Sequence, residues 1–94
     1  MNKILITGTS GFVGGRVAKE MSRQYEVLAP SHNECDITRP EVVEEYVRVH
    51  RPHAIVHLAA LSNTGYCEQH PEESLRVNVM GVAHMADAAA RYGC

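Results

Sequence analysis

Ile4-Leu5-Ile6-Thr7-Gly8-Thr9-Ser10-Gly11-Phe12-Val13-Gly14 decides how this chain is read. Ile4 to Thr7 is a short apolar run of the kind that forms a buried parallel strand. Gly8, Gly11 and Gly14 follow at a spacing of three, and Val13, Val17 and Met21 then recur every fourth residue, as on one face of a helix. Glycines in that loop let the backbone turn tightly, approach a pyrophosphate and pack the helix on the strand. The helix start adds free N–H groups and a partial positive charge. A glycine turn kept only for packing would show the same three residues, but the flanking strand and helix favour a dinucleotide. Gly8, Ser10, Gly11, Phe12, Val13 and Gly14 are thus candidate cofactor contacts. Phe12 and Val13 also suit the core of the first helical turn, where only their backbone would touch a ligand.

Outward from this stretch the pattern is strand, helix, strand, helix, strand, helix. The first helix is expected over about Phe12 to Arg23, and a second strand over Glu26 to Ala29, ended by Pro30. Thr38 and Glu41, three apart around Pro40, read as a capping box. The helix it starts carries Val43, Val47 and His50 on one stripe, with Val42, Tyr46 and Val49 beside it, until Arg51-Pro52-His53 breaks it. A third, almost wholly apolar strand runs from Ala54 to Leu58, followed by a loop from Ser62 to Pro71. The last helix starts near Pro71, ends with Arg91 before Gly93, and has Leu75, Val79, Val82, Met85, Ala86 and Ala89 as its apolar face.

Strands alternating with helices of this length mean βαβ units and a parallel sheet. The expected fold is α/β: the N-terminal half of a doubly wound parallel-sheet Rossmann fold, strand order 3-2-1, with helices on both faces. Residues 1–94 would form the first portion of a dinucleotide-binding domain, with strands 4 onward and the substrate region absent. Strand 1 would then be a bare edge open to self-association.

Composition narrows the partners. Nine basic and eleven acidic residues are interleaved, for a net charge of −2, so no basic face invites nucleic acid. The apolar runs fall far short of the roughly 18 residues that span a bilayer, and the N-terminus does not read as a signal peptide. A cytoplasmic location is expected. Three cysteines without a Cys-x-x-Cys pair suggest neither a disulfide framework nor zinc, and the six histidines form no metal-binding pattern.

Thr7 to Gly14, then Cys35-Asp36-Ile37-Thr38, then Arg51-Pro52-His53-Ala54-Ile55-Val56-His57-Leu58-Ala59-Ala60 resembles the extended short-chain dehydrogenase/reductases. These are NAD(P)-dependent sugar-nucleotide epimerases, dehydratases and reductases. The compact second strand and its short link to Asp36 are most similar to the dTDP-dehydrorhamnose reductase branch. The resemblance implies that the backbone of Gly11, Phe12 and Val13 lies along the pyrophosphate. Ser31 and His32 match the positions that read the adenosine ribose. Asp36 and Ile37 match the pair that holds adenine, by a carboxylate and a backbone N–H. Ala59, Ala60 and Leu61 match the small-residue turn beside the cofactor, and Asn78 matches a helix asparagine usual in the family.

Two departures stand out. Ser31 occupies the place of the acid that NAD-preferring members set against the ribose 2′-OH, and His32 is at hand to donate to a 2′-phosphate, so NADP(H) is expected over NAD(H). Gly65 stands where rhamnose-pathway reductases tend to have an aspartate, although Glu68 and Pro71 keep their places.

The family's proton donor is a tyrosine in Tyr-x-x-x-Lys, its pKa lowered by the lysine. Tyr25, Tyr46, Tyr66 and Tyr92 have no lysine four positions on, and Lys3 and Lys19 are the only lysines. No catalytic residue is therefore expected within 1–94. The resemblance implies the dinucleotide-binding portion of a sugar-nucleotide oxidoreductase, whose full-length parent acts on a nucleotide-linked sugar. A non-catalytic, NADP-binding regulatory module of the same fold is the alternative.

Overall fold

A computed structural model describes residues 2–61 and 63–94. In chain order they form β1 (Lys3–Thr7), α1 (Phe12–Met21), β2 (Glu26–Leu28), α2 (Pro40–His50), β3 (Ala54–His57), α3 (Thr64–Gln69), α4 (Pro71–Leu75), a π-helical stretch (Arg76–Met80) and α5 (Gly81–Tyr92). The strands make one parallel sheet, as the α/β reading requires, but its order is β2-β1-β3 rather than the expected 3-2-1. β1 pairs with β2 from Lys3 opposite Glu26 to Leu5 opposite Leu28. On its other side it pairs with β3, from Ile4 opposite Ala54 to Thr7 opposite His57.

The reason lies in the strands themselves. β2 is three residues long, begins with exposed Glu26, and offers little apolar flank to a further strand. β1 is buried from Ile4 onward and needs a strand on both sides. The chain therefore crosses back through α2 and sets β3 where the 3-2-1-4-5-6 order has its fourth strand. β1 is central, so the expected bare edge, and self-association through it, fall away. Right-handed crossovers that leave in opposite directions put α1 on one face and α2 on the other.

α2 and α5 pack together over the sheet. Between them and β1 lies the core: Leu5, Cys35, Ile37, Val43, Val47, Met85 and Ala88. Val43 and Val47 are wholly buried, as their stripe predicted, while Val49 is exposed. The last helix departs further from expectation. It buries Gly81, Met85 and Ala88, while Leu75, Val79, Val82 and Ala86 of the expected apolar face stand in solvent. Within α5 the buried positions are 81, 85 and 88, so the small residues Gly81 and Ala88 flank Met85 on the core face and Val82 and Ala86 fall beside it. The wider turn of the π-helical stretch rotates Leu75 and Val79 relative to that face.

Two local expectations also fail. Thr38 does not cap α2: Arg39 is the capping position and makes no side-chain cap bond, while the Thr38 hydroxyl donates to Asp36 Oδ1 at 2.7 Å. The expected loop before Pro71 contains α3, capped by Asn63, whose Oδ1 accepts from Tyr66 N–H at 2.8 Å. Its first expected residue, Ser62, lies outside the described residues. Gly93 closes α5 with φ 74°, as a helix-stopping glycine should.

Candidate functional site

The strand order reverses between β1 and β3, and both strands end at the same edge of the sheet. In such a sheet the crevice outside those carboxyl ends is the binding position. Gly8 turns the chain with φ 77°, and a Cβ there would lie 2.7 Å from Ala59 N. A Cβ on Gly14 would collide with the Gly8 carbonyl oxygen. Gly8 therefore lets the loop meet the turn after β3, and Gly14 lets α1 sit on the loop. The Gly11 N–H donates to Gly8 O at 3.1 Å, and the first helical bond runs from Gly15 N–H to Gly11 O at 2.9 Å. That leaves the N–H groups of Phe12, Val13 and Gly14 without acceptors among the described residues, aimed out of the helix start. The side chains of Phe12 and Val13 are 79% and 62% exposed, so they are not core. Arg16 covers the Phe12 ring at 5.5 Å. Ser10 is exposed on the same loop.

The opposite wall is held by Thr7, the one buried polar side chain among the described residues. Its Oγ1 accepts the N–H groups of Leu58 and Ala59, each at 3.1 Å, and lies 2.7 Å from His57 Nδ1. Two residues on, Asn78 reaches over from the π-helical stretch. Its Oδ1 accepts Leu61 N–H at 2.8 Å and its Nδ2 donates to Leu61 O at 2.9 Å. This two-pronged grip fixes the backbone of Leu61, and Ala60 is left exposed between the two anchors. Ala59, Ala60 and Leu61 thus come together with Gly8 across the crevice.

The residues after β2 form a second cluster. Ser31 and Glu34 cap one another: Ser31 N–H donates to Glu34 Oε1 at 2.9 Å, and Glu34 N–H donates to Ser31 Oγ at 3.3 Å. These bonds hold the Glu34 carboxyl below its usual range. Glu34 is the residue that the sequence reading missed. Its signal was a serine three positions before a glutamate, the same cue that was credited to Thr38 and Glu41. His32 is exposed beside them.

Asp36 binds both the N–H and the hydroxyl of Thr38 through Oδ1. The hydroxyl bond is the main cause lowering its pKa; burial opposes it, and His32 and Arg39 lower it further. Its second carboxylate oxygen makes no bond to the described residues. The Ile37 side chain is buried against Gly81, and its carbonyl oxygen accepts from His84 Nδ1 at 2.8 Å. The Ile37 N–H has no partner among the described residues. A carboxylate oxygen and a backbone N–H are therefore both free at 36 and 37.

Among the described residues no three His, Cys, Asp or Glu side chains gather as a metal site, and no helix is long and apolar enough to cross a membrane. The cysteines are free; burial, with Asp36 adding to it, pushes the Cys35 thiol up to about 11.

The family model described as "RmlD substrate binding domain" matches residues 1–94. The chain belongs to this family. A dTDP-4-dehydrorhamnose reductase of Aggregatibacter actinomycetemcomitans is 35% identical over 94 residues, covering 98% of this chain and 32% of that protein. The crystal structure of a dTDP-4-dehydrorhamnose reductase from Bacillus anthracis, in complex with NADP, superposes with a TM-score of 0.94 at 27% identity, over 100% of this chain and 34% of that one. A UDP-glucose 4-epimerase of Thermus thermophilus, in complex with NAD, gives 0.87 at 25% identity, over 97% and 34%. The chain spans about a third of the length of these relatives. The two solved relatives share its Rossmann-type α/β architecture, and one holds NADP and the other NAD.

Proposed function

We propose that residues 1–94 are the dinucleotide-binding portion of a sugar-nucleotide oxidoreductase. The observation that carries this reading is the crevice between β1 and β3. Three N–H groups at the start of α1, without acceptors among the described residues, face it from one side, and the Thr7-anchored turn closes it from the other. The N–H groups of Phe12, Val13 and Gly14 would hold the pyrophosphate, since anions are stabilised there by free donors and the helix dipole. Asp36 and Ile37 would hold adenine, with the free carboxylate oxygen accepting from its amino group and the free N–H donating to its ring. Ser31 and His32 would meet the ribose. A bound nicotinamide supplies hydride chemistry, and Ala59, Ala60 and Leu61 give it a close-fitting backbone wall.

NADP(H) is the preferred form in this reading, because Ser31 brings no carboxylate of its own to repel a 2′-phosphate. The proton donor and the nucleotide-linked sugar belong to the part of a longer parent that follows. The NADP complex of the B. anthracis relative supports the cofactor class.

Titration of NADPH into the 15N-labelled chain should shift amides 8 to 14 and 58 to 61. No change there at millimolar NADPH would overturn the reading. Ser31→Asp in a longer parent should turn the preference toward NAD(H), and equal affinity for both cofactors before and after would refute the NADP(H) assignment. A parent that carries the remaining two-thirds should oxidise NADPH, read at 340 nm, with a nucleotide-linked ketosugar. A parent that binds NADPH yet stays inert across a panel of such sugars would favour the regulatory alternative.

A further inference from the structure

Thr7 Oγ1 has two lone pairs and one proton. Both lone pairs are taken, by Leu58 N–H and Ala59 N–H. Its proton can only go to the remaining neighbour, His57 Nδ1, 2.7 Å away. That nitrogen must then be bare, so the neutral ring carries its hydrogen on Nε2. Nε2 is buried and has no partner among the described residues, so nothing on that side of the ring selects this tautomer. Thr7 alone does.

From this bond count we infer that His57 is a positioning residue: in its neutral, Nε2-protonated form it fixes the Thr7 hydroxyl, which holds the turn at Leu58 and Ala59 against Gly8. A proton on Nδ1 would set N–H against O–H, with no lone pair left to accept it. Thr7 would have to release Leu58 or Ala59 to take that donor, and the turn would come loose. The loop on the other side has no room to follow, because Gly8 already touches Leu58 and Ala59 closely. The inference rests on the proposed cofactor reading only in giving the turn something to face.

The surroundings leave His57 free to act this way. β3 packs against β1 and α5. On β1 the titratable group is Lys3, at the far end of the strand with Nζ on His50 O at 3.4 Å. On α5, His84 is bonded to Ile37 O, Arg91 to Glu44 and Asp87, and Tyr92 to Glu44. None of these charges contributes at His57; burial alone holds its pKa below the ordinary value. Neutral His57 is thus the resting form at neutral pH.

The test uses the full 94-residue chain and two variants. His57→Asn keeps an acceptor where Nδ1 stands and removes the titration; His57→Leu removes both. Long-range 15N correlation of the histidine rings should give the Nε2–H tautomer for His57. On acidification the amide shifts of Leu58 and Ala59 should move with the same midpoint as the His57 ring, and should stay flat in His57→Asn. His57→Leu should displace both amides already at neutral pH. An Nδ1–H tautomer, or Leu58 and Ala59 titrating equally in His57→Asn, would overturn the assignment. NADH, which has no 2′-phosphate to titrate, separates the two claims. Its affinity should fall about tenfold on protonation of His57 and hold in His57→Asn, the scale of one lost hydrogen bond. If neither NADH nor NADPH binds while the two amides still titrate with His57, the cofactor reading fails and the positioning role stands. If NADH binds with no difference between wild type and His57→Asn across that range, the positioning role fails.

Discussion

At the scale of single residues, the site depends on groups with no spare bonding capacity. Thr7 is the clearest: one hydroxyl satisfies three partners. Thr7→Val keeps the shape but strands two N–H groups and the imidazole. The expected loss is about 2–3 kcal/mol of stability by urea denaturation, since buried unmet polar groups cost about 1–3 kcal/mol each. Thr7→Ser, which keeps the hydroxyl, should recover most of it. Glu34 makes a different point. Its carboxylate is pinned to Ser31 N–H, so a negative charge stands beside Ser31 although the side chain there is neutral. Glu34→Gln should therefore raise affinity for NADPH several-fold and leave that for NADH little changed, measured by calorimetry. Equal gains for both cofactors would place Glu34 away from the 2′-phosphate.

At the scale of elements, α5 and the segment before α2 are joined by a close fit. A Cβ on Gly81 would lie 2.8 Å from Ile37 Cδ1, the end of a flexible but buried side chain. Gly81→Ala gains up to about 1 kcal/mol of helix propensity. It forces Ile37 aside at a cost of about 1–3 kcal/mol. A net loss of about 1 kcal/mol is expected in chemical denaturation, with the Ile37 amide shifted; Gly81→Val should lose more. The elements also mark how far the sequence could be read. The glycine loop, α1, α2 and the apolar third strand were legible because local spacing determines them. Strand order was not, since the pairing of β3 depends on the short, partly polar β2, and a four-residue strand with three apolar residues looks alike on either side of β1. α3 escaped because Thr64 to Gln69 carries no apolar periodicity and is started by the Asn63 cap. The buried face of α5 differs from the expected one because Gly81 and Ala88, small residues that carry little apolar signal, face the core with Met85, and the π-helical turn before α5 shifts Leu75 and Val79 off that face. That residues 8 to 14 and 59 to 61 lie at the ends of β1 and β3 follows from local pattern, but the capping pair Ser31–Glu34 and the hydroxyl hub at Thr7 appear only when hydrogen bonds are counted.

At the scale of the whole molecule, acid is the condition to which this chain should be most sensitive. Asp36, Glu34, Glu41 and Glu45 all hold their protons more weakly folded than free, chiefly through hydrogen bonds; for Asp36 the Thr38 hydroxyl is the main cause. As pH falls through the unfolded values of 3.8 for Asp and 4.5 for Glu, the unfolded chain takes up protons first. The stability these groups contribute is fully present above those values and drains away below them. His57 adds a second, higher window of the same sign: its folded pKa is lowered from 6.5, so the unfolded state again binds protons first as pH drops below that value. The melting temperature should fall between pH 7 and 5 less steeply in His57→Asn. Below pH 5 it should fall less steeply in Asp36→Asn, read by circular dichroism across the range.

The stretch Arg76–Met80 is, in genetic terms, a helix with one codon too many. Removing the codon for Val79 would let the hydrogen bonds close in an ordinary register from Pro71 to Tyr92, a smoother rod than the one present. With α5 still seated through Met85 and Ala88, the missing residue would swing Asn78 about 100° around the axis, away from Leu61. A lineage that repaired its helix in this way would gain regularity and lose its hold on the turn.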